Sequence, residues 1–150
     1  MKILTSFMIV LTGIVFGNVF AKDVTNADLL KLFKSRIEVF SKCDTVELRN
    51  ICTKDYQCIN SAGLKMNLEE IKQYIVDQKK QIRAYEILTF QPFAAQDESM
   101  AFVVPEIEEE IVQDKTIIKN SLIVTEIYRK VNKIWKIQLT QISEKICNYP

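Results

Sequence analysis

The chain has 150 residues, with 20 basic and 19 acidic side chains, no histidine, four cysteines and three glycines. Without histidine, Ser-His or Cys-His triads, imidazole bases and His-containing metal sites are excluded. A near-neutral balance argues against a binder of phosphate backbones, which carries a basic excess, so no nucleic-acid partner is expected.

The first segment carries Lys2, an apolar run from Ile3 to Phe16, and Val19-Phe20-Ala21 ahead of the charged Lys22. This is the pattern of a secretory signal peptide over residues 1–21. The run is short for a membrane span, which needs roughly 20 apolar residues. The expectation is one exported domain over residues 22–150, secreted or periplasmic and free of the membrane after cleavage. Gly13 and Gly17 fall in the signal, leaving Gly63 alone. One glycine cannot build a phosphate cradle or a dinucleotide fingerprint, and no cofactor is expected. Cys43, Cys52, Cys58 and Cys147 all lie in the exported part, where an even count favours disulfides. Three pairings are open, among them Cys52–Cys58 closing a short loop with Cys147 tied to Cys43. Cys52 and Cys58 are too far apart for a zinc knuckle, so no metal is expected.

Three helical patterns follow. Leu29, Leu30, Phe33, Ile37 and Phe40 form one stripe behind Thr25-x-x-Asp28, a capping-box signal. Asp44 with Glu47 opens a short second helix carrying Val46, Leu48 and Ile51. Tyr56 to Ile59 reads as a short strand with Ser61-Ala62-Gly63 as its turn. Asn67 with Glu70 then caps a third helix with Leu68, Ile71 and Ile75 on its apolar side.

From Gln81 the texture becomes extended. Ile82 to Phe93 and Met100 to Val112 read as strands, the second interrupted by Pro105. After a turn at Gln113-Asp114-Lys115, Thr116 to Lys130 and Ile134 to Ile142 read as strands joined at Asn132-Lys133. The period of two in this last hairpin collects Leu122, Val124, Glu126 and Tyr128 with Trp135, Ile137, Leu139 and Gln141 on a core face. Ile123, Ile127 and Ile142 fall on the outer face, a partly apolar surface that favours association. Glu126 is a carboxylate on an apolar face, costly unless something holds it. The acidic run Glu106, Glu108, Glu109 and Glu110 reads as a solvated strand end. Helices first and an antiparallel meander afterwards give an α+β domain.

Several strings in this order resemble the nuclear transport factor 2-like superfamily, in its SnoaL-like or ketosteroid isomerase-like branch. They are Cys43-Asp44 with Val46-Glu47-Leu48, Thr53-Lys54-Asp55-Tyr56, and Gly63 followed by Asn67-Leu68-Glu69-Glu70-Ile71. The last is Val124-Thr125-Glu126-Ile127-Tyr128-Arg129-Lys130 with Trp135-Lys136-Ile137. The resemblance implies a cone-like fold of three N-terminal helices on a strongly curved, mostly antiparallel sheet. It also implies a pocket between the two and dimerisation through the open face of the sheet. The ketosteroid isomerase base position corresponds to Asn60, an amide that cannot take a proton from carbon. The tyrosine donor falls at Arg36, and the second acid at Glu126. The final-strand histidine positions fall at Leu139 and Gln141.

The resulting expectation is a non-catalytic, exported homodimer whose pocket binds a small apolar molecule, or which binds a protein partner. Ligand-binding candidates are Glu126, Tyr128, Gln141, Leu139, Tyr56 and Asn60, with Glu126 the one catalytic candidate. The alternatives are an isomerase- or cyclase-type enzyme using Glu126 as acid or base, and a periplasmic inhibitor or immunity protein. What divides these readings is whether the cone is open at Glu126 or filled by side chains such as Phe33 and Phe40.

Overall fold

The computed structural model describes residues 26–78, 81–95, 99–113 and 115–145. The signal segment, the Thr25 cap, the turn at Gln96-Asp97-Glu98 and Cys147 lie outside the described residues. Three helices come first among them, as the periodicity requires: α1 (Asn26–Lys42), α2 (Thr45–Ile51) and α3 (Leu68–Gln78). Leu29, Phe33, Ile37 and Val39 bury one side of α1. Cys43 ends the helix at φ 53°, and Asp44 caps α2 by accepting the Glu47 amide at 2.9 Å. The capping box of α3 forms in full. Asn67 Oδ1 accepts the Glu70 amide at 3.0 Å, and Glu70 Oε2 accepts the Asn67 amide at 2.8 Å.

The strands are β1 (Cys52–Ile59), β2 (Lys65–Asn67), β3 (Gln81–Thr89), β4 (Pro92–Ala94), β5 (Met100–Val103), β6 (Glu106–Gln113), β7 (Thr116–Val131) and β8 (Ile134–Glu144). They form one sheet with the path β2-β1-β8-β7-β5-β4, and β3 joins through β6. Every pairing is antiparallel except β1 with β8. The architecture is therefore α+β, with three helices against a curved, mostly antiparallel sheet.

Each of the two long strands expected before β7 is two strands. Pro105 has no N–H to give to a ladder, and the chain breaks there into β5 and β6. The 16-residue β7 serves both: residues 116–123 pair with β6, and residues 126–129 pair with β5. At the junction the Val124 amide donates to the Pro105 carbonyl at 3.0 Å. Asn132 and Lys133 turn β7 into β8 with φ of 51° and 67°, the double positive φ of a type I′ hairpin.

Disulfides were expected with the pairing open, and of the three possible pairings the Cys52–Cys58 bridge does not form. Both lie on β1, both are buried, and both are free, as is Cys43. Six residues of strand separate Cα atoms by roughly 15–20 Å, far beyond the reach of a disulfide. Cys43 instead donates its thiol to the Ile75 carbonyl at 3.3 Å, tying α1 to α3. Among the described residues no helix is long and apolar enough to cross a membrane.

Candidate functional site

The inward face of the sheet carries a row of side chains across five strands: Val103, Glu126, Thr140, Cys58 and Met66. Glu126 sits in this row between Val103 and Thr140 with no solvent exposure. Above it lies Arg36 of α1, which follows Phe33 by three residues and so shares the apolar side of the helix. The Arg36 Nε pairs with Glu126 Oε1, the Tyr128 hydroxyl donates to Glu126 Oε2, and the Thr140 hydroxyl donates to Oε1 at 3.4 Å. The guanidinium also lies over the rings of Phe33 and Phe40, 5.2 and 5.4 Å from their centroids.

Burial pushes the Glu126 carboxyl above its ordinary value, against the pull of Arg36 and the two hydroxyls. Burial works against charge on Arg36 more than any single neighbour favours it, but Glu126 together with Tyr56, Tyr128 and Cys58 outweighs it and keeps the guanidinium charged. Tyr56 and Tyr128 are pushed well above the usual phenol range, first by burial. The Cys58 thiol is pushed up for the same reason. Glu126 with Arg36, Tyr128 and Thr140 forms an internal network centred on one ion pair, while the buried Tyr56 hydroxyl finds no hydrogen-bond partner among the described residues.

The cavity lies beside this network. About 170 Å³ is open between α1, α3 and the inner face of the sheet. Arg36, Phe40 and Cys58 close its inner end, while Met66, Ile71, Ile75, Ile111, Leu122 and Ile142 line its walls. Asn60, Ser61, Glu109, Asn120 and Glu144 stand around its more exposed end. The cone is thus filled at Glu126, by Arg36 between Phe33 and Phe40, and open beyond Arg36.

The expected site residues divide accordingly. Asn60 lines the cavity, and its Oδ1 also holds the turn at Gly63 (φ 79°) by accepting the Ala62 and Leu64 amides at 3.1 and 2.9 Å. Glu126, Tyr128 and Tyr56 are buried behind the wall rather than in it. Leu139 and Gln141 were expected to face inward, and they face outward. Ile127 pairs with Leu139 but Tyr128 pairs with Ile137, so Gln138 is an extra residue in the ladder. Such a bulge reverses the alternation beyond it. Thr140 and Ile142 turn inward instead, and Ile142, expected on the outer face, becomes a cavity wall.

Thr140 and Ile142 are thus inward residues that sequence patterning put on the outer face, and Arg36, which the resemblance set at the tyrosine-donor position, closes the cavity. A charged residue inside the stripe Phe33–Ile37–Phe40 was the available signal for Arg36. The Gln138 bulge had no such signal. On the acidic strand β6, alternation between buried Ile107 and Ile111 brings Glu109 to the cavity, where it accepts the Asn120 amide at 3.1 Å. Glu110 pairs with Lys119 at 2.9 Å, and Glu106 pairs with Lys145.

By sequence, the chain matches no family model and no curated protein. Solved structures match it closely in shape. A structure of the calcium/calmodulin-dependent kinase II association-domain type from Exiguobacterium sibiricum superposes with a TM-score of 0.71 at 16% identity, over 83% of this chain and 95% of that one. A nuclear transport factor 2-like protein from Cytophaga hutchinsonii gives 0.71 at 14% identity, over 81% and 98%. The association domain of the same kinase from C. elegans gives 0.66 at 12% identity, over 78% and 93%. With the helices, the split sheet and the cavity between them, these likenesses establish that the chain has the nuclear transport factor 2-like fold.

Proposed function

We propose that the protein is a non-catalytic, exported binder that takes a small, largely apolar molecule into the cavity beside Arg36. One observation carries this reading: the cavity ends on Arg36, and Glu126, the one fully buried acid among the described residues, is sealed behind it by its ion pair and the Tyr128 hydroxyl. A catalytic acid or base has to come within hydrogen-bond reach of its substrate. Asn60, which does reach the cavity, is an amide engaged in its own turn, and the carboxylates that reach it, Glu109 and Glu144, stand at its more exposed end and hydrogen-bond to Asn120 and Ser61. The walls are aliphatic and the polar groups gather at the two ends, as in sites that bind by burial with polar groups fixing orientation. Native mass spectrometry of the purified protein is expected to show a retained small molecule. Repeated preparations with an empty cavity would count against the reading. Glu126→Gln is expected to shift the melting temperature and leave ligand retention in place.

The partner surface in this reading is the outer face of the sheet. Phe93, Phe102, Ile127 and Leu139 form an apolar row across β4, β5, β7 and β8. Phe93 and Phe102 stack at 4.7 Å and remain 42% and 44% exposed. A contiguous apolar patch of this kind marks an association surface, and a two-fold pairing of two copies would cover it. The association-domain proteins of the same fold support the idea. Sedimentation of the wild type is expected to show a dimer and of Phe102→Glu a monomer; a monomeric wild type would remove the proposal.

A further inference from the structure

The two ends of the cavity carry opposite charge. At the inner end, the Nε edge of Arg36 is taken by Glu126 and its face by two phenylalanine rings. Among the described residues nothing else hydrogen-bonds to it, although its side chain is only 5% exposed and borders the cavity. A guanidinium has five N–H donors, and donors held away from water are costly without acceptors. At the outer end stand Glu109 and Glu144. One oxygen of Glu109 accepts the Asn120 amide, and one of Glu144 accepts the Ser61 hydroxyl at 3.0 Å. Each carboxylate keeps lone pairs for a further donor. Between the ends the walls are aliphatic, chiefly Ile71, Ile75, Ile111 and Leu122.

We infer that the cavity takes a small zwitterion: a carboxylate against the Nη edge of Arg36, a short apolar chain along the walls, and an ammonium between Glu109 and Glu144. This rests on the binding function proposed above and names the class of ligand. A plain carboxylate leaves the two acids at the mouth unneutralised and repelled. A plain amine meets the buried guanidinium with a like charge. A neutral apolar molecule leaves the Arg36 donors empty. A cavity of about 150 Å³ holds one benzene, so the observed space suits about six to nine non-hydrogen atoms.

The test is calorimetric titration of the full chain with 5-aminopentanoate, pentanoate, pentylamine and 1-pentanol, four probes of one chain length. The zwitterion is expected to bind at least about tenfold more tightly than the other three, a difference of about 1.4 kcal/mol. Because Arg36 also belongs to the core, the variants are placed elsewhere. Glu109→Gln with Glu144→Gln is expected to weaken 5-aminopentanoate by about three- to tenfold and to bring pentanoate level with it. Ile71→Phe, which fills the cavity, is expected to abolish binding of all four. Pentanol or pentanoate binding as tightly as the zwitterion in the wild type overturns this inference and leaves the binding function standing. Failure of all four probes overturns both.

Discussion

Arg36 and Glu126 are the residues on which the interior turns. Both are buried, and each is tolerable there because of the other. Removing one partner of a buried pair costs about 3–5 kcal/mol, whereas replacing both by apolar groups is often neutral. Arg36→Met is therefore expected to lose stability on that scale at neutral pH, and Arg36→Met with Glu126→Leu to regain most of it. The single variant also acquires a pH signature. Burial already holds the folded carboxyl above its ordinary value, and loss of Arg36 removes the largest opposing influence. A carboxyl raised in the folded state contributes stability below its unfolded value, near 4.5, and loses it as pH rises through the folded value. Chemical denaturation of Arg36→Met is thus expected to show stability falling from pH 5 towards pH 8; a flat profile would contradict it. Tyr128→Phe removes one donor to the carboxyl and should cost about 1.5–3 kcal/mol in the same measurement.

At the level of elements, the hairpin from β7 to β8 shows how far alternation carries and where it stops. Leu122, Val124, Glu126 and Tyr128 all face inward, as their period of two requires. On β8 the period holds as far as Ile137, and the extra residue Gln138 then exchanges Leu139 and Gln141 for Thr140 and Ile142. Gln138 itself reaches Asp55 on the neighbouring strand, donating at 3.1 Å. No local pattern marks the bulge, which shows only in the register of β8 against β7. The adjoining turn is simpler. Lys133 holds φ 67° with a side chain that opposes it, so Lys133→Gly is expected to raise stability by about 0.4–1 kcal/mol in thermal unfolding. A loss of stability would mean that its side chain contributes contacts beyond the turn. The helix starts were legible for the opposite reason: Asp44–Glu47 and Asn67–Glu70 act within one turn of chain.

For the molecule as a whole, local chemistry and periodicity determined the three helices, the caps of α2 and α3, the β7–β8 hairpin and the α+β class. Each of these depends on residues a few positions apart, and such signals survive without knowledge of partners. The carboxylate on an apolar face was equally visible, and Glu126 is buried as its position required. Tertiary structure alone decided that α1 lays Arg36 over it, closing the cone there and leaving the cavity on the far side of the guanidinium. It alone set Glu109 and Glu144 around one opening, from strands that are distant in sequence. It also kept Cys52 and Cys58 apart on one extended strand. These outcomes depend on which elements pack together and in what register, a long-range energetic choice that no short window of sequence contains.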